Sequence, residues 1–274
     1  MKISVLAEDT CKDSRFLCEH GLSLYLETPN QTILFDTGKS GLFAENAAQL
    51  GLSLAKVDFA VLSHGHYDHG GGIETFFQVN DHAPLYVHEH ALAEHFAQRP
   101  SGRIDFIGIE KPDCSSDRWI SVHGDLTPAP GCLLFSSIEE SCLLSRSNDV
   151  LKIKKQGSYE KDPFLDEQYL LVEQPKGFLL LTGCAHRGIV NILRRAQQLT
   201  GGKVTAVVGG FHLSNPSAGT CEPDNTIAGV ARELASYPIT YYTCHCTGRT
   251  AYEKLKPTLG EQLRWIGAGD QFDI

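Results

Sequence analysis

Four apolar runs of strand length in this chain each end directly on side chains that bind metals, and that recurrence limits the folds open to it. The run VDFAVLSH continues as GHYDHGGG and delivers His64, His66, Asp68 and His69. GFLLLTG is followed at once by Cys184 and His186, KVTAVVGG leads to His212, and ITYYTC leads to His245 with a cysteine on either side, Cys244 and Cys246. In open α/β sheets, ligand sites gather beyond the carboxyl ends of strands. A fold that brings these four strand ends to one edge would therefore concentrate imidazole, carboxylate and thiolate in one place.

The residue types point to a metal. Neutral imidazole and carboxylate are the usual ligands of catalytic zinc, and they also suit iron and manganese. Three histidines and an aspartate within six residues, with further ligands from other strands, are too many for one ion that keeps a position open for water. The count suits two ions, which about 3.5–4 Å apart can share a hydroxide and polarise a substrate oxygen. Gly70, Gly71 and Gly72 are expected to let the backbone turn sharply beside them. A lone histidine is more often a satisfied core or surface residue. His82, His88, His90 and His95, on or near the helically spaced EHALAEHFAQ, are read that way.

Composition narrows the class of protein. The chain has 274 residues, enough for a large core, with 42 % hydrophobic and 21 % charged residues, ordinary for a soluble globular protein. A formal net charge of -9 with no long basic run argues against non-specific binding to nucleic acid or an anionic membrane. No apolar run reaches the ~20 residues that span a bilayer, and the early acidic residues of MKISVLAEDT do not read as a secretory signal. The expectation is a cytoplasmic protein acting on a small molecule, with no nucleic-acid or membrane partner; oligomeric state is not legible. Nine cysteines, an odd number, fit thiols and metal ligands better than a disulfide framework. Cys11, Cys18, Cys114, Cys132, Cys142 and Cys221, each without a histidine directly beside it, read as small hydrophobes.

Along the chain, KISVLAE, GLSLYLET and QTILFDTG read as strands, GLFAENAAQLG as a helix, and VDFAVLSH as a strand covered on both faces. GIETFFQV and EHALAEHFAQ have helical spacing, with APLYVH a strand between them. RWISVHG and GCLLFSS look strand-like. The polar stretch SRSNDVLKIKKQGSYEKDPFLDEQ reads as a solvated insertion or flap, spanning about 137–167. YLLVEQPKGFLLLTG is a strand, a turn and a strand. GIVNILRRAQQL, NTIAGVARELASY and GRTAYEKLKPTLG are helices alternating with the strands KVTAVVGG and ITYYTCH. With no Pro-, Gly- or Ser-rich linker, residues 1–274 are read as one domain of two packed sheets with helices on the outer faces.

These residues carry a resemblance. SHGHYDHGGG resembles the H-x-H-x-D-H signature of the metallo-β-lactamase superfamily, ILFDTG resembles the strand and turn before it, and LLLTGC and HCTG resemble the later ligand segments. Together with EHGLSLYLET, TGCAHRGIVNIL and GGFHL, they are similar to a subgroup of metal-dependent hydrolases often labelled dihydropterin ribofuranosylaminobenzene 5'-phosphate synthases. The resemblance implies an αββα sandwich with one or two zinc ions at one edge between the sheets, and Asp36 as a buried support of the metal loop. It implies a metallohydrolase in which metal-bound hydroxide attacks an ester, phosphoester or related bond. His64, His66 and His186 would hold one ion and Asp68, His69 and His245 the other, with Cys184 between them or beside one, and Asp68 would also serve as proton acceptor. The first alternative is a synthase or lyase acting on a phosphorylated riboside or pterin, with Arg187 and Asn191 near the site. The second is a non-hydrolytic di-iron or metal-binding protein. Glu19 and His20 would sit at the pocket rim, and Asp162, Asp166 and Glu167 in a flap. Two departures stand out. No P-G-H segment supplies a third histidine, Cys132 standing in that place in APGCLLF, so His186 or His212 would take over. Cys184 also stands where the wider superfamily has a bridging aspartate.

Overall fold

A computed structural model describes residues 1–113, 117–139 and 141–274; Cys114 lies outside the described residues. Two sheets lie face to face. The first has seven strands in the order Gln271–Asp273, Lys2–Ala7, Ser23–Glu27, Thr32–Phe35, Phe59–Val61, Leu85–His88 and Trp119–Val122. Pairing is antiparallel through Thr32–Phe35 and parallel from there on. The second has six strands, in the order Leu263–Trp265, Thr240–Thr243, Val204–Gly209, Gly177–Leu181, Tyr169–Gln174 and Cys132–Phe135. Its first four strands are mutually parallel and its last two join antiparallel.

The period-2 alternation of the strands builds three layers of core. Leu24, Leu26, Ile33 and Phe35 of the first sheet meet Leu170, Val172, Leu179 and Leu181 of the second in the central layer. The alternate residues point outward. Tyr25 and Leu34 pack with Phe43 and Phe76, from the helices Leu42–Gln49 and Ile73–Val79. Leu171 and Leu180 pack with Ile192, Val230 and Leu255, from the helices Ile189–Thr200, Asp224–Ala235 and Arg249–Leu259. A strand with one face on each layer must be apolar at every position, which is why these runs read as continuous hydrophobic segments. The result is the expected four-layer αββα sandwich. No helix among the described residues is long and apolar enough to cross a membrane.

Two sequence expectations are corrected. EHALAEHFAQ is not a helix: the chain turns after His88, and His95–Gln98 is a strand. It pairs antiparallel with Leu151–Lys155 and with Ile104–Phe106, and Ser158–Lys161 completes a small third sheet. Strand pairing has overridden the helical propensity of Ala, Leu and Glu. The polar stretch within 137–167 contains the hairpin Leu151–Lys155 and Ser158–Lys161, whose second strand is exposed, while Asn148, Asp162, Asp166 and Glu167 on either side of it are buried. The glycine run after His69 also works differently from expectation. None of Gly70, Gly71 and Gly72 has a positive φ. A Cβ on Gly71 would lie 2.1 Å from the carbonyl oxygen of Lys39, so the glycine there serves close packing of the metal loop on its neighbour.

Candidate metal centre

The central strands of both sheets end at the same edge. Past Phe59–Val61 the chain presents His64 and His66, then Asp68 and His69 from the short helix Tyr67–Gly70. The parallel neighbours Gly177–Leu181, Val204–Gly209 and Thr240–Thr243 present Cys184 and His186, His212, and His245 with Cys246. Parallel register aligns these three ends: Leu181 pairs with Val208, and Gly209 with Thr243. All eight sequence-nominated metal residues, His64, His66, Asp68, His69, Cys184, His186, His212 and His245, are buried and meet there.

His64 Nε2 is 3.0 Å from His66 Nδ1, and His69 Nε2 is 3.1 Å from the Cys184 sulfur. The His186 ring lies 4.9 Å from that of His64, 5.0 Å from that of His66 and 4.1 Å from that of His212, between centroids. Ligand atoms of His64, His66 and His186 all lie within 4.8 Å of one another, as do those of Cys184, His186 and His212. Among buried side-chain nitrogens, His66 Nε2, His186 Nε2, His245 Nε2 and both nitrogens of His212 have no hydrogen-bond partner. Buried polar atoms are normally paired. A cluster of unpaired imidazole nitrogens converging on carboxylate and thiol fits a site for metal ions.

Outer partners orient the ligands, as ligating histidines require. Asp36, at a left-handed φ of 60°, accepts from the Ser63 amide at 2.7 Å and hydroxyl at 2.8 Å, and holds His69 Nδ1 at 2.7 Å. Its expected support role is thus matched by its contacts. Asp9 holds His245 Nδ1 at 2.6 Å and His20 Nδ1 at 2.9 Å. Asn148 Oδ1 is 3.1 Å from His186 Nδ1. Asp166 accepts from the Gly65 amide at 2.7 Å. His95, expected to be bland, is buried against His66, 5.2 Å between rings, with its Nδ1 2.7 Å from Asp162.

Electrostatics follows from this packing. Burial drives His64 well below its ordinary range, with His69 and His66 adding to the effect, and brings His66 down to about 3; both are neutral imidazoles, the ligating form. Burial alone would raise the Asp68 carboxyl, but His245, His69 and His20 outweigh it and hold it well below the usual range. Of the two neighbouring thiols, burial keeps Cys184 high. Burial also opposes ionisation of Cys246, but Cys184, His212 and His245 outweigh it and draw this thiol toward thiolate.

Of the nominated substrate residues, only His20 lines the cavity, of ≈ 440 Å³, over this centre; its Nε2 is 3.4 Å from Asp68. Glu19 binds the amides of Lys39 and Ser40, each at 3.0 Å, and braces that loop. Arg187 donates to the carbonyls of Pro163 and Ile138, so its guanidinium ties down the 137–167 segment and does not line the cavity. Asn191 is taken up by Cys142 and the carbonyl of Arg187, and Cys132 lies in the core between the sheets. Residues that sequence reasoning missed are Asp9, Asn148, His95, Arg99 and Cys246. Asp9 carried a signal, an acidic residue two past the strand Lys2–Ala7; His95 and Arg99 carried none, because only the small third sheet brings them to the site.

A αββα sandwich with an H-x-H-x-D-H loop and strand-end ligands at one edge defines a class. The family model of the metallo-beta-lactamase superfamily matches residues 18–146, and the chain is similar to that superfamily in fold and in the order of its ligand segments. It is 28% identical over 289 residues, covering 98% of this chain and 95% of the relative, to a 7,8-dihydropterin-6-methyl-4-(beta-D-ribofuranosyl)-aminobenzene-5'-phosphate synthase of Methanocaldococcus jannaschii. A crystal structure of a metal-dependent hydrolase of the beta-lactamase superfamily superposes with a TM-score of 0.84 at 27% identity, over 100% of this chain and 99% of that one. Zn(2+)-bound PqqB from Methylobacterium extorquens shares the fold, with a TM-score of 0.58 at 14% identity over the full length of both chains.

Proposed function

We propose that this chain is a metal-dependent hydrolase that cleaves an ester, phosphoester or related bond in a small molecule. The observation that carries this reading is the set of buried imidazole nitrogens without partners, gathered under an open cavity. His64, His66 and His186 would hold one ion; His69, His245, Asp68 and Cys184 surround the place of a second. Zinc is the metal we favour, since imidazole and thiolate both suit it. Divalent ions bound there would make a water more acidic and polarise a substrate oxygen.

The protein's own groups do the rest. Asp68 faces the cavity, ionised, 3.4 Å from His245 Nε2 and from His20 Nε2, so its carboxylate can accept a proton from an incoming water. The Asp9 carboxylate fixes both of those rings. Phe164 stacks on His186 at 4.4 Å and shields that side of the centre from solvent. Metal analysis and turnover of phosphodiesters, thioesters and lactones test the reading. Bound metal and activity are expected, with His66→Ala costing more than the ~10–100-fold typical of outer-shell losses. Protein without metal, or full activity in His66→Ala, would overturn it.

A second reading, action on a phosphorylated riboside, draws on the likeness to the synthase and on one residue of the cavity. Arg99 lines it beside Ser217, held by Asp105 at 2.8 Å, and its guanidinium suits a phosphate. Protection from thermal unfolding by phosphorylated ribosides, lost in Arg99→Ala, is the expected result.

A further inference from the structure

Cys246 has no part in the ligand sets above, yet its position is that of a ligand. It follows His245 in the 3₁₀ turn His245–Thr247 and lines the same cavity as Cys184 and His245. The sulfurs of Cys184 and Cys246 and a ring nitrogen of His245 lie within 4.8 Å of one another. His245 Nδ1 is occupied by Asp9, which leaves the buried Nε2 without a hydrogen-bond partner; a carboxylate behind the far nitrogen is how ligating histidines are oriented. The backbone is arranged around the sulfur. A Cβ on Gly210 would lie 2.3 Å from the Cys246 sulfur, so only glycine leaves it room. The Cys246 carbonyl accepts from the Leu213 amide and the Ser214 hydroxyl, each at 3.1 Å. His212, more than nine-tenths buried and unpartnered at both nitrogens, lines the same cavity.

We propose that Cys184, Cys246 and His245 form a position for one thiophilic divalent ion, zinc by class, held by two thiolates and one imidazole. Two cysteines and a histidine are a set used by catalytic zinc, with the fourth position open, here to the cavity. Thiolate ligands favour zinc over magnesium or manganese. Both cysteines bind as thiolates, so each thiol proton still held passes to solvent; the contact of the Cys246 sulfur with the Cys184 carbonyl, at 3.3 Å, is given up. The proposal rests on the metal-dependent reading and sharpens it: with sulfur on the second ion, Asp68 is freed to accept a proton.

Zinc X-ray absorption on the full chain, purified with reductant and assayed for zinc, tests it. A sulfur shell near about 2.3 Å is expected beside the nitrogen and oxygen shell near about 2.0–2.1 Å. Cys246→Ser should remove about half a sulfur per zinc at two zinc per chain, and Cys221→Ser none. Alkylation with iodoacetamide, mapped by mass spectrometry, needs no variant. Zinc should slow labelling of Cys246 more than tenfold and leave the exposed Cys18 unchanged. Zinc bound through nitrogen and oxygen alone, an unchanged sulfur shell in Cys246→Ser, or equal labelling of Cys246 with and without zinc would overturn the two-thiolate position while leaving metal binding intact. Absence of zinc altogether would overturn both readings, and the metal assay tells the cases apart.

Discussion

The first sheet presents His64, His66, Asp68 and His69 from one loop and one four-residue helix, braced from behind by carboxylates: Asp36 under His69 and Ser63, Asp166 under Gly65. The second sheet presents its ligands from three separate parallel strands, and bends the backbone to do so. Ala185, His212 and His245 all have left-handed φ, of 61°, 48° and 51°, a conformation that costs a non-glycine residue of order 1–3 kcal/mol. Both nitrogens of His212, Nε2 of His186 and Nε2 of His245 are unpaired there. The first half has one such backbone position, Asp36 at 60°, and one unpartnered ring nitrogen, His66 Nε2; the second has three and four. Left-handed backbone and open nitrogens are thus concentrated in the second half, which also carries the cysteine sulfurs.

Removing a brace should break the first half most severely. Asp36→Ala strips the acceptor from the Ser63 amide, the Ser63 hydroxyl and the His69 ring, all buried. At about 1–3 kcal/mol per unsatisfied buried group, unfolding in urea should show a loss of roughly 4 kcal/mol; a loss below about 1 kcal/mol would show that the loop does not depend on this carboxylate.

The second half has its own anchor, Glu167, which accepts from the His186 amide at 2.6 Å, the Arg187 amide at 2.8 Å and the Tyr169 hydroxyl at 2.5 Å. Burial pushes its carboxyl up to about 7, against the pull of these donors. The folded state therefore keeps a proton that the unfolded chain, at its ordinary 4.5, has released. The stability it contributes is fully present below pH 4.5 and declines as pH rises through 7, by about 3 kcal/mol in all. Denaturation of Glu167→Gln across this window should show the decline flattened. An unaltered slope would mean that the anchor titrates like a solvated glutamate.

The smallest effect is expected where the two halves touch. Asp166, just before the second-sheet strand Tyr169–Gln174, holds Gly65 between His64 and His66 and lies 3.5 Å from His95 Nε2. Asp166→Ala should weaken metal binding about 10–100-fold in competition titrations, the usual cost of an outer-shell partner. Unchanged affinity would show that the first half orients its histidines without help from the second.

Much of this was legible from residues alone. The buried strands announced themselves as apolar runs because both their faces are covered, and His64, His66, Asp68 and His69 announced a metal because four ligating side chains crowd into six residues. His186, His212 and His245 could be nominated from strand-end position, a local property. Which residues face them could not. EHALAEHFAQ has helical composition, and only pairing with Leu151–Lys155 makes part of it a strand and carries His95 to His66. Arg187, an apparent anion site beside a helix start, is consumed by two carbonyls of the 137–167 segment, while Arg99, unremarkable in sequence, reaches the cavity. Cys246 is one residue from a nominated ligand, yet its nearness to Cys184, 62 residues away along the chain, is a product of parallel strand register. Local pattern determined the strands, the sandwich they stack into and the residue types at its edge. Tertiary packing alone decided which of those residues share a metal, because ligand sets are assembled from strand ends whose separation along the chain says nothing of their separation in space.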